Sequence, residues 1–308
     1  MGLLAPMLTA TLGRVARAPR AVDLPPARLV ELGDRGRTCV IDVPGPPGAP
    51  TIILLHALAT TAALSWYPSM QALSEHFRVV AFDQRWHGRG IRCESFRLDD
   101  CADDVVAVAD ALGIDHFIVA GYSMGGAVAQ LVWRRHRQRV DGLVLAATAR
   151  NFRGKVTERL WFSLTQLTMA RWGETVRARA DRLAAGLTEL PSGLSADAPR
   201  VAPWAMTEFR STSAWAVLAA IDEVGRFDSS LWIRRVDVPT SVVVATNDRF
   251  IPTRRQRRLA ASIPGAQVFD VTGNHAALVL GADEFVPVLV SACRSVAKRA
   301  AARAKAAA

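Results

Sequence analysis

A chain of 308 residues, half of them apolar and about a fifth charged, suits one large globular domain with an inserted subdomain. No apolar run approaches the roughly 20 residues that cross a bilayer, and Cys39, Cys93, Cys101 and Cys293 lack disulfide or metal-ligand spacing, which predicts a cytoplasmic protein without a metal. The net charge of +10 sits mostly at the ends, on Arg14, Arg17, Arg20, Arg294, Lys298, Arg299, Arg303 and Lys305, so it does not point to a nucleic-acid partner.

Residues 1–27 read as a basic, amphipathic extension. Leu4, Leu8, Leu12 and Val15 share one helical face, which either docks on its own domain or rests peripherally on a membrane surface. Continuous apolar runs then follow: "TCVIDV" (38–43), "TIILLH" (51–56), "FRVVAFD" (77–83), "HFIVAGY" (116–122), "VDGLVLAAT" (140–148), "TSVVVAT" (240–246) and "AQVFDV" (266–271). Apolar residues at consecutive positions predict strands covered on both faces, as in a parallel sheet under helices. Helical patterns occupy residues 98–112, 125–137, 254–263 and 284–303. The expected order is three strands followed by repeated helix–strand units. This is an α/β class with a mostly parallel central sheet. "PGPPGAP" (44–50) predicts a loop.

Residues 150–233 contain no buried-strand run. They hold Trp161, Trp172, Trp204, Trp215 and Trp232 and are cut by Pro191, Pro199 and Pro203, which predicts a mainly helical insertion. The core therefore reads as residues 28–149 and 234–295, with a basic Ala-rich tail over 296–308.

The run 116–122 ends in Gly121-Tyr122-Ser123-Met124-Gly125-Gly126, and a helical pattern begins at once. Gly-x-Ser-x-Gly between a buried strand and a helix forces one hydroxyl out of a tight corner. Gly121 and Gly125 are small because the positions flanking the serine crowd together. A hydroxyl needs a base to become a nucleophile. His275, in "VTGNHAALVLG", follows the last strand, where a parallel sheet presents catalytic loops. Asp248, in "VVVATNDRFIP", follows the penultimate strand and can orient the imidazole. His76, His116 and His136 lie in helix or strand settings and read as core or surface residues. Asp222 and Asp228 have no buried strand before them, and "TARNF" offers only Asn151. An oxyanion needs two donors. One is the amide of Met124; the other comes from the loop His56-Ala57-Leu58.

"LLHALATT", "FDQRWHGRG", "GYSMGG", "ATNDRFIP" and "GNHAAL", in this order, resemble the α/β-hydrolase superfamily over about residues 28–295, the insertion excepted. The resemblance implies a Ser123 nucleophile, an Asp248 acid and a His275 base. It further implies oxyanion donors at Leu58 and Met124, a cap made by residues 150–233, and no cofactor. His56 and His87 are then structural. Two positions depart from the family's usual pattern. Ala57 stands where His-Gly is usual, so a positive φ there would strain the chain and shift the Leu58 amide. Trp86 stands where the family usually has glycine, and either lines the pocket mouth or packs.

The activity this predicts is cofactor-independent hydrolysis of a carboxylic ester, with an apolar small-molecule or lipid-like substrate suggested by the tryptophans. A thioesterase, lactonase or acyltransferase would use the same groups, and a non-catalytic ligand-binding protein would keep the pocket alone.

Overall fold

A computed structural model describes residues 24–93, 95–153 and 201–307, with isolated positions between 160 and 175. The amphipathic stripe at Leu4–Val15 and most of residues 154–200, including Trp161 and Trp172, lie outside the described residues.

Eight strands form one sheet: β1 (Ala27–Glu31), β2 (Arg37–Val43), β3 (Thr51–Leu55), β4 (Arg78–Phe82), β5 (Phe117–Tyr122), β6 (Val140–Ala146), β7 (Thr240–Ala245) and β8 (Gln267–Val271). Their spatial order is β1-β2-β4-β3-β5-β6-β7-β8. The first two pairings are antiparallel and the remainder parallel. Every residue of β5 and of β7 is buried, as runs without alternation require when helices cover both faces. One apolar cluster fills each face. Ile53, Val119 and Val244 point into the first, and Ile52, Ala120 and Val243 into the second.

The α-helices bounded within the described residues are α1 (Ala62–Ser74), α2 (Leu98–Ala111), α3 (Met124–Arg135), α4 (Val201–Arg210), α5 (Ala214–Arg226), α6 (Thr253–Ser262), the single turn α7 (Ala277–Leu280) and α8 (Ala282–Ala307). The chain leaves the sheet after β6 and returns before β7. The described part of this excursion carries α4, packed on α1, and α5, packed on α2. Asn151 and Asp228 close its base through an isolated antiparallel bridge.

Three features differ from the sequence reading. First, α1 lies between β3 and β4, so the runs at 38–43, 51–56 and 77–83 are not three strands in succession. Pro68 inside the helix obscures the pattern, as does burial on several sides (Ala62, Ala63, Leu64, Ser65, Trp66, Ser69, Met70 and Leu73), which leaves no single apolar stripe. Its start is fixed by the Thr61 hydroxyl, which accepts from the Leu64 amide at 3.1 Å. Second, β1 was not foreseen; it is a five-residue antiparallel edge strand with Leu29 exposed. Third, β8 closes the opposite edge and is largely exposed despite its apolar run, because only β7 pairs with it.

Candidate active site

The parallel register sets the site. Leu55 pairs with Gly121, Tyr122 with Ala146, and Ala146 with Val243, so β3, β5, β6 and β7 end at one rim. Between β5 and α3 the chain reverses within one residue, Ser123, at φ 54° and ψ −114°. L-residues avoid this region, and such strain persists only where the surroundings enforce it. Here the Ser123 amide donates to the Ala146 carbonyl at 3.0 Å, and the Ser123 carbonyl accepts from the Thr148 hydroxyl at 2.8 Å.

The flanking glycines are explained by contact. A Cβ on Gly121 would stand 2.1 Å from the Gly125 carbonyl oxygen, and one on Gly125 would stand 2.2 Å from the Leu55 oxygen. The second approach seats the N-terminus of α3 directly against the end of β3. The Met124 amide and the loop carrying Leu58 are therefore borne by adjoining segments. Among the described residues, neither of these amides has a hydrogen-bond acceptor.

Three side chains foreseen from sequence meet at this rim. The His275 ring places Nε2 2.9 Å from Ser123 Oγ and Nδ1 2.7 Å from Asp248 Oδ2. Asp248 is an acceptor, so Nδ1–H donates to it and Nε2 faces the serine hydroxyl as acceptor. The Asp248 carboxylate has no exposed side-chain surface. Its Oδ1 accepts from the amides of Phe250 and Ile251 at 2.8 and 2.9 Å, and its Oδ2 accepts from Gln256 Nε2 at 3.1 Å. These bonds compensate the burial of a charge.

Two supporting residues were missed from sequence. Gln256 is wholly buried on α6, and its Oε1 accepts from the Ala245 amide at 2.9 Å, tying the acid to the end of β7. Tyr122 donates its hydroxyl to the His275 carbonyl at 3.0 Å. A glutamine in a helix and a tyrosine in a strand carry no local signal of either role.

The two departures from the usual pattern resolve differently. The left-handed residue after β3 is Ala59, at φ 62°, and Ala57 is not left-handed, so alanine imposes no such strain there. Trp86 does take up the glycine-like backbone, at φ 64°. Its ring is buried, with its centroid 4.3 Å from that of Trp215 on α5 and the Arg92 guanidinium 5.3 Å away; it packs and does not edge an open mouth.

The remaining histidines have other surroundings. His116 and His136 face Asp141 and Asp103. Buried His56 accepts from the Gln84 amide through Nε2 at 2.9 Å, which makes its Nδ1 the donor to the Ala57 carbonyl at 2.8 Å. Burial pushes its pKa down to about 4. Burial together with the neighbouring His56 pushes that of His87 to about 3. Both are neutral spacers of the rim.

Among the described residues no cluster of His, Cys, Asp and Glu could hold a metal, and no helix is long and apolar enough to cross a membrane.

A strained serine at a strand–helix turn, at the rim of a mostly parallel eight-stranded sheet, defines the class of fold. The family model described as alpha/beta hydrolase fold matches residues 50–226, and the chain belongs to that family. It is an enzyme of the hydrolase class. Among curated relatives, pyrrolizixenacetamide deacetylase of Xenorhabdus hominickii is 26% identical over 269 residues, 85% of this chain and 96% of that protein. The poly(3-hydroxyalkanoate) depolymerase of Ectopseudomonas oleovorans is 26% identical over 278 residues, covering 89% and 94%. Among solved structures, the enol-lactonase from Burkholderia xenovorans LB400 is 25% identical with a TM-score of 0.68, covering 87% of this chain and all of that one.

Proposed function

We propose that the chain is a serine hydrolase that cleaves a carboxylic ester through an acyl-enzyme, with Ser123 as nucleophile, His275 as base and acid, and Asp248 as the orienting carboxylate. One observation carries the reading: a single imidazole bonded at one nitrogen to the strained serine and at the other to a buried carboxylate. His275 Nε2 takes the Ser123 proton as Oγ attacks the ester carbonyl carbon. The resulting oxyanion is held by the Leu58 and Met124 amides, each worth about 3–4 kcal/mol to the transition state. Collapse breaks the ester C–O bond, and His275 returns its proton to the departing alcohol. A water molecule then gives a proton to His275 and attacks the acyl carbon, releasing the acid and restoring the serine hydroxyl. Asp248 stays ionised and stabilises the imidazolium.

The insertion, residues 150–233, acts in this reading as a cap over the rim. Phe250, with its ring centroid 4.8 Å from that of His275, favours an apolar group beside the reacting carbonyl. The free cysteines fit a reducing compartment. The names of the relatives span amide, polyester and enol-lactone cleavage, all of which pass through the same acyl transfer. Incubation with a fluorophosphonate probe beside a panel of esters, thioesters and lactones tests the proposal. Labelling and turnover are expected in the native chain and absent in Ser123→Ala. An unlabelled but folded native chain would favour a binding protein, and unchanged turnover in the variant would remove Ser123 from the reaction.

A further inference from the structure

A cavity of about 200 Å³ is lined by Ala149, Arg150, Asn151, Pro252, Arg254, Arg255 and Arg258. Among the described residues that line it, four of seven are arginines and none is acidic. Two of its lining residues adjoin, in sequence, residues that hold the candidate site. Ala149 follows Thr148, whose hydroxyl holds the Ser123 carbonyl, and Pro252 follows Ile251, whose amide holds Asp248.

The arginines are placed against electrostatic preference. Arg254 and Arg255 lie in the first turn of α6, which contains no acid, so two cations sit at the positive end of the helix dipole. The Arg254 and Arg258 side chains have no hydrogen-bond or ion-pair partner among the described residues, whereas that of Arg257, on the same helix, pairs with Asp270 at 2.9 Å. Arg150 is anchored by a neutral acceptor, the Ser262 hydroxyl at 3.1 Å, while its buried Nε has no hydrogen-bond acceptor. Arg255 is steadied by a bond of 3.2 Å to the Phe152 carbonyl. Asp228, bridged through its backbone to Asn151, accepts from the Ser230 amide. Like charges gathered around a hollow, two of them held through bonds to the Ser262 hydroxyl and the Phe152 carbonyl, form a receptor for planar or tetrahedral oxyanions.

We propose that this cleft binds an oxyanionic group, a carboxylate or phosphate, gripped by Arg150, Arg254, Arg255 and Arg258. The group belongs either to a free small acid or to the far end of the ester substrate, and the two sources separate experimentally. Calorimetric titration with inorganic phosphate and with succinate, at ionic strength held constant with chloride, reads binding without any turnover. Saturable binding is expected in the native chain and a loss of more than tenfold in affinity in Arg254→Ala/Arg258→Ala, whose thermal melt should match the native one. Absence of saturable binding, or equal affinity in the variant, overturns the proposal. Given binding, kinetics on p-nitrophenyl monoesters of dicarboxylic acids of increasing length, beside neutral esters of equal length, assign the source. A tenfold rise in KM of the variant for the acidic esters alone marks the substrate's own carboxylate; unchanged KM for both series marks a free ligand. The binding arm is independent of whether Ser123 acts as nucleophile.

Discussion

Gln256 Nε2 and His275 Nδ1 converge on the same oxygen, Asp248 Oδ2, at 3.1 and 2.7 Å. The glutamine sets the rotation of the carboxylate, and the carboxylate sets the imidazole. Gln256→Ala is expected to lower kcat about tenfold with KM little changed, since the group acts on orientation and not on substrate binding. It also strands the buried Ala245 amide, which costs on the order of 1–3 kcal/mol. Steady-state kinetics beside urea denaturation measure both. An unaltered kcat would show that the two Asp248 amide contacts suffice.

The backbone at Ser123 predicts a separation of stability from activity. Ser123→Ala and Ser123→Gly both abolish turnover, because neither supplies a hydroxyl. Glycine, however, takes φ 54° without the Cβ penalty, so Ser123→Gly should be more stable than Ser123→Ala by about 1 kcal/mol. Equal midpoints in urea would mean that the turn carries no strain of this kind.

The same logic applies at Trp86, with a larger packing term. Both Trp86→Ala and Trp86→Gly empty the space beside Trp215, at a cost of about 3–5 kcal/mol. Glycine relieves the left-handed backbone and alanine does not, so the glycine variant should recover about 1 kcal/mol of that loss. Thermal melts of the pair decide the matter, and a less stable glycine variant would contradict it.

Acid lability should begin near the ordinary histidine range. His56 and His87 have folded-state pKa values pushed down to about 4 and about 3 from 6.5. As pH falls below 6.5, the unfolded chain takes up protons that the folded chain refuses, and stability declines by about 1.4 kcal/mol per unit for each histidine. Burial raises the pKa of Asp83 and Glu208, with the opposite effect: their contribution is fully present below 3.8 and 4.5 and is lost as pH rises through the folded values. His87→Asn isolates one histidine. Between pH 7 and pH 5 the native chain should lose about 2 kcal/mol more than this variant in urea unfolding free energy. Parallel pH profiles would place the acid sensitivity elsewhere.

Local features were legible wherever the physics is local. Seven of the strands follow from apolar runs bounded by turn signals, and the crowding at Gly121 and Gly125 follows from Gly-x-Ser-x-Gly at a strand–helix junction. The edge strand β1 and the helix α1 escaped because their patterns depend on what covers them. The exposed β8 shows the converse, an apolar run at a sheet edge. Trp86 is instructive: its departure from the usual glycine was visible in the sequence, but its buried contact with Trp215 was not.

The sequence by itself determined which residues could carry the chemistry, since a strained serine, an acid after one strand and a histidine after the next are each marked by neighbours within a few positions. Only the tertiary structure decided that they meet. Ser123 and His275 are 152 positions apart and come within 2.9 Å because parallel register ends β5, β7 and β8 at a common rim. The Gln256 brace, the Tyr122 anchor and the arginine cleft likewise exist only between distant segments, as side chains whose partners no local pattern encodes.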